Sequence, residues 1–190
     1  MRCIPTALAV TERDRRIGES IEISAITHDD PVAVTACAAY NEIAAALVRG
    51  DDPERAVAAG LATARRLGST PVAAAIAQGQ DLVPALMAAA GAIPFADQAS
   101  GYVLDSLSLA VAAVLDRRPL ADVVVDIARI GNDTDTNAAI AGGLLGARDG
   151  ACAIPSRWTA ALQFAAEFTA AAAVLAGLPD GVPGAARPRA

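Results

Sequence analysis

No lysine occurs in the 190 residues, so all 15 basic side chains are arginine. A Schiff-base enzyme and a P-loop nucleotide site each need a lysine, and both are excluded. His28 is the only histidine, and no Gly-x-Ser-x-Gly elbow accompanies it, which leaves a Ser-His-Asp triad without a framework. The three cysteines, Cys3, Cys37 and Cys152, are odd in number, far apart in sequence and never in a Cys-x-x-Cys pair. That spacing argues against a disulfide framework or a zinc site and makes a reducing cytoplasm the expected compartment. Aromatic residues are 3% of the chain, so large core anchors are few. The arginines are scattered and the formal charge is −6, which speaks against a nucleic-acid partner. The start of the chain meets Glu12, Arg13, Asp14 and Arg15 too soon for a secretory leader. The longest apolar tract, Thr159 to Leu178, is broken by Gln163 and Glu167 and is expected to be a buried helix, with no membrane span.

What the chain has instead is alanine and helical periodicity. Alanine buries little area but favours helix, so the core must come from many close helix contacts. Residues 13 to 26 read as a helix, and Asp30-Pro31 and Asp52-Pro53 each supply an N-cap followed by proline at the first helical position. The helices they open stop at Gly50 and Gly68. Gly79 and Pro84 imply two short helices between Pro71 and Gly91. Further helices are predicted from Val103 to about Asp116, from Pro119 onward, to about Ala147, and from Ser156 to Gly177. The run Val123-Val124-Val125 is the one rival for a strand, but Leu120, Val123, Val124 and Ile127 keep the helical period. The expectation is an all-α domain over residues 1–177 with roughly eight helices, then a disordered Pro/Gly-rich tail over 178–190.

The most polar stretch lies between two of those helices. Asn132-Asp133-Thr134-Asp135-Thr136-Asn137 follows Gly131, a natural helix stop, and precedes Ala138-Ala139-Ile140-Ala141-Gly142-Gly143. One reading is local: Asp and Thr cap the next helix and complement its dipole. The other is a hard-metal site, since Asp133, Asp135 and Thr136 offer three oxygens within one turn. An EF-hand is excluded, because counting from Asp133 puts Ala138 and Leu144 where glycine and glutamate are required. Gly142, Gly143 and Gly146 are expected to let neighbouring helices approach closely. Taken alone, His28 reads as a cap or turn residue and Tyr102 as core or rim.

The segment from Gly131 to Ala147, continuing to Ile154-Pro155 and Trp158, resembles the C-terminal signature of the ADP-ribosylglycohydrolase family. Met1-Arg2 with Pro5, Thr27-His28 with Pro31, and Ser100-Gly101-Tyr102-Val103 resemble other segments of it, so the likeness spans residues 1 to 160. The resemblance implies an all-α, multi-helix orthogonal bundle that hydrolyses the glycosidic bond of ADP-ribose attached to a protein or small molecule, using Mg²⁺ or Mn²⁺. It implies Asp133, Asp135 and Thr136 as metal ligands, and His28 and Tyr102 as substrate-binding residues. It also implies a C-terminal portion. The family's N-terminal catalytic glutamate, its Thr-Asp-Asp-Thr metal motif and its Gly-Asn-Gly loop have no counterpart here, so no catalytic residue is assigned and the chain alone is expected to be impaired. A separate N-terminal chain is an implied partner. Two rivals follow: a non-catalytic ADP-ribose or nucleotide-binding module, or structural remnant, and a different metal hydrolase that recruits Asp97 and Asp105.

Overall fold

The computed structural model describes residues 3–91 and 99–177, and within them every regular element is helical. The eleven α-helices are α1 (Pro5–Ala9), α2 (Arg13–Ala25), α3 (Pro31–Val48), α4 (Pro53–Arg66), α5 (Thr70–Asp81), α6 (Pro84–Ala90), α7 (Val103–Leu115), α8 (Leu120–Arg129), α9 (Thr134–Asp149), α10 (Ser156–Ala161) and α11 (Ala165–Leu175). A 3₁₀ turn at Ala151–Ala153 joins α9 to α10. Asp97 and residues 178–190, the expected tail, lie outside the described residues.

The starts and stops follow the sequence. The side chain of Glu12 accepts the Asp14 and Arg15 amides, Asp30 accepts those of Val32 and Ala33, and Asp52 accepts that of Arg55. Each satisfies amides that the first helical turn leaves free. The residues Val123 to Val125 are helical, within α8.

α3 and α7 are the central helices, and alanine dominates what they bury. One core gathers α2, α4 and α5 around α3 and α7, through Ile43, Val57, Ile76 and Val111. A second lies where α6 and α8 meet α7 and α9, through Met87, Leu109, Val123, Ile127 and Leu145. α3 is long and apolar enough to cross a bilayer, but two thirds of it is buried among the other helices, which accounts for its composition. One buried ion cluster crosses the first core. Arg16 Nε donates to Glu42 Oε1 at 2.7 Å, Arg13 Nε donates to Oε2 at 3.0 Å, and Arg16 Nη1 also donates to the carbonyls of Val10 and Thr11.

Four expectations need correction. Residues 5–9 form an additional short helix, because Pro5 presets the first turn. Gly79 does not interrupt a helix; it lies inside α5, where a Cβ would come within 2.5 Å of the Ser108 carbonyl, and the break falls at Leu82-Val83 before Pro84. The expected single C-terminal helix is two, parted at Phe164, whose φ of 62° is left-handed. It is also not buried: Phe164, Phe168 and Val174 are exposed, and the main packing of α11 is against the short helix α1. Finally, of Gly142, Gly143 and Gly146 only Gly143 meets a close neighbour, the Tyr40 hydroxyl.

Candidate functional site

Two left-handed residues in succession, Gly131 at φ 93° and Asn132 at φ 59°, end α8 and turn the chain into α9. Glycine takes that conformation freely and asparagine is among the few other residues that tolerate it. The turn carries the polar stretch to the segment just before α7. There Asp133 N donates to the Ala99 carbonyl at 3.3 Å, and Asn137 Nδ2 donates to the same carbonyl at 2.8 Å. Ser106 Oγ, on the first turn of α7, donates to Asn137 Oδ1 at 2.7 Å. Asn137 and Ser106 are both buried, so this clamp fixes the start of α9 against the start of α7 from within.

Around the clamp sit the carboxylates. The Asp133 carboxylate lies directly against Gly101, leaving no space there for a Cβ. Ser100 Oγ hydrogen-bonds Asp105 Oδ2 and accepts the Tyr102 amide. The Asp135 carboxyl is held below the usual carboxylate range, first by the Asp133 carboxyl within hydrogen-bonding reach and then by the amides of Thr136 and Asp135 itself. Two neighbouring carboxylates repel when both are ionised, weakly where water screens them as at the exposed Asp135, and a cation between them would relieve that repulsion.

Asp133 is the N-cap residue of α9, yet its side chain makes no capping bond. Glu12, Asp30 and Asp52 do make that bond in the same molecule. Asp133 is therefore used differently from those three acidic caps, and shares its lack of a capping bond with Ser69 at the start of α5. Asp135 is partly occupied with first-turn amides, whereas Asp133 is turned away to Gly101.

The remaining candidates are more dispersed. Tyr102 is the exposed residue immediately before α7, beside Gly101. His28 is exposed at the α2–α3 junction, with a ring nitrogen 2.9 Å from the Thr27 hydroxyl. Its link towards α7 and α9 runs through Cys37, which feels its charge and lines a small cavity with Val103, Ser106 and Ile140. Among the described residues, no three His, Cys, Asp or Glu side chains are grouped as a metal-ligand set, and Asp105, engaged by Ser100, does not complete one.

Comparison with known families returns the ADP-ribosylglycohydrolase family, matched over residues 1–183. The chain belongs to that family. A comparison with curated proteins finds no match. The all-helical architecture agrees with the ADP-ribosylglycohydrolase fold, and membership gives the chain a hydrolase-type function in a family that is generally metal-dependent.

Within this ADP-ribosylglycohydrolase fold, sequence reasoning singled out the acidic pair but not the parts that hold it. Asn137 was visible in the polar stretch, and its place four residues after Asp133, one helical turn inward, is the signal that marks it as buried. Ser106 carries no such signal, being one of two serines in an apolar helix.

Proposed function

We propose that this chain contributes one face of a cytoplasmic ADP-ribosylglycohydrolase site, hydrolysing the glycosidic bond of ADP-ribose attached to a protein or small molecule. The observation that carries the reading is the Asp133 carboxylate, withheld from capping, seated on Gly101 and facing the Asp135 carboxyl. A hard divalent cation such as Mg²⁺ or Mn²⁺ suits two carboxylates and a hydroxyl, so Asp133, Asp135 and Thr136 would hold it. When bound, such an ion acts as a Lewis acid on oxygens of the scissile centre. The protein's own part is orientation. The Asn137 clamp fixes the acidic turn against α7, Tyr102 offers an exposed ring beside it, and His28, exposed at the α2–α3 junction, is assigned to contact with the ligand. Three oxygens are about half the shell such an ion takes, and the rest come from water, substrate or another chain. We therefore propose that the isolated chain turns over poorly.

A thermal-shift titration of the full chain tests this. Stabilisation by ADP-ribose that requires Mg²⁺ or Mn²⁺ supports the reading, and at a hundredfold excess over Kd it amounts to about 2.7 kcal/mol. Rapid release of ADP-ribose by the isolated chain would overturn the claim of impairment. The lack of three grouped acidic or thiol ligands among the described residues favours a second reading, a non-catalytic ADP-ribose binder. Stabilisation by ADP-ribose that is indifferent to metal would favour it.

A further inference from the structure

The three cysteines are unlike one another in space. Cys152 is exposed on the 3₁₀ turn after α9. Cys3 is buried and Cys37 half-buried, and the two face one small cavity and influence each other's ionisation although 34 positions separate them in sequence. The approach is fixed by the backbone. Asn41, one turn beyond Cys37 on α3, donates from Nδ2 to the Cys3 carbonyl at 3.0 Å and to Ser20 Oγ at 2.7 Å. Both thiols line a cavity of about 40 Å³ between α3, α7 and α9, whose other walls include Tyr40, Val103, Leu107 and Ile140. That is room for a molecule the size of water or a peroxide.

We propose that Cys3 and Cys37 are a peroxide-oxidisable pair, a covalent modification site in which oxidation ties the segment entering α1 to the centre of α3. The chemistry divides unequally between them. The Cys3 thiol donates its hydrogen bond to Cys37, the Ser24 hydroxyl adds another, and His28 contributes positive charge. Together they lower the Cys37 pKa and make it the thiolate, while that same bond and burial raise Cys3. The Cys37 thiolate attacks the peroxide O–O bond. An S–O bond forms, hydroxide leaves and takes up a proton as water, and Cys37 becomes a sulfenic acid. The Cys3 thiol then gives up its proton, its sulfur attacks the Cys37 sulfur, and hydroxide departs with that proton as a second water. The peroxide is reduced by two electrons and the dithiol is oxidised by two.

Cleavage at arginine places the cysteines in separate peptides, 3–13, 17–49 and 149–157. Treating the folded full chain with one equivalent of hydrogen peroxide, alkylating and then digesting should yield the linked peptides 3–13 and 17–49, with 149–157 alkylated. Before oxidation, Cys37 should alkylate at least about tenfold faster than Cys152 at neutral pH, by its larger thiolate fraction. A Cys3→Ser variant should stop at the sulfenic acid, trapped on Cys37 by a dimedone probe. Oxidation of Cys152 in preference, or intermolecular disulfides without the 3–13/17–49 link, would overturn the proposal. The wild-type map decides even if the variant folds poorly.

Discussion

At the scale of single residues, Gly101 and Glu42 separate function from stability. Gly101 has no left-handed backbone requirement, and the one obstacle to a larger residue is the Asp133 carboxylate. Gly101→Ala should therefore change unfolding free energy by no more than about 0.5 kcal/mol, while weakening Mn²⁺ binding at least about tenfold. Chemical denaturation and a metal titration on the same preparation check both halves. Glu42 is the opposite case. It pairs with the buried Arg16 and the half-exposed Arg13, and Glu42→Ala would leave Arg16 buried without a counter-charge. A loss of about 3–5 kcal/mol in denaturant unfolding is expected. Nothing in the sequence marks Glu42, which sits among alanines in the middle of α3. The acidic pair at 133 and 135 was legible because polar residues crowd between two periodic segments, and its partner Gly101 was not, because the meeting depends on how α7 and α9 pack.

At the scale of elements, the start of α9 is tied to the start of α7 by Asn137. Asn137→Ala would take the acceptor from the buried Ser106 hydroxyl and the nearer of two donors from the Ala99 carbonyl, which keeps the Asp133 amide, costing about 1–3 kcal/mol, with loss of amide protection at the first turn of α9 measured by hydrogen exchange. The junction of α7 and α8 makes a prediction in pH. Arg118 holds the Asp116 carboxyl below the usual carboxylate range through its side-chain hydrogen bonds. A carboxylate with a depressed folded pKa contributes stability that is complete above the unfolded value of about 4 and is lost as pH falls through the folded value. Wild type should accordingly lose stability between pH 4 and more acidic conditions more steeply than Asp116→Asn, as followed by melting temperature against pH. Helix starts at Asp30-Pro31 and Asp52-Pro53 could be read directly, since a cap is a local device. The split between α10 and α11 could not, because a left-handed phenylalanine has no sequence signal.

At the scale of the whole molecule, an alanine-rich chain packs its helices around α3 and α7 and gathers its acidic turn at the end where α7 and α9 begin. Family membership over residues 1–183 supports a hydrolase-type function in general terms, and the proposed cation would sit where Asp133 and Asp135 open α9. The exposure of α11 was hidden from the sequence, since apart from Glu167 and Thr169 its residues are apolar all round and mark no face as core or solvent. If Asp133 and Asp135 meet around a hard cation, as proposed, calorimetric titration of Mn²⁺ into the full chain at neutral pH should register it. Saturable binding to wild type is expected, weakened by Asp133→Asn and by Asp135→Asn at least about tenfold each, about 1.4 kcal/mol. Binding that is absent in wild type, or unchanged in both variants, would contradict it.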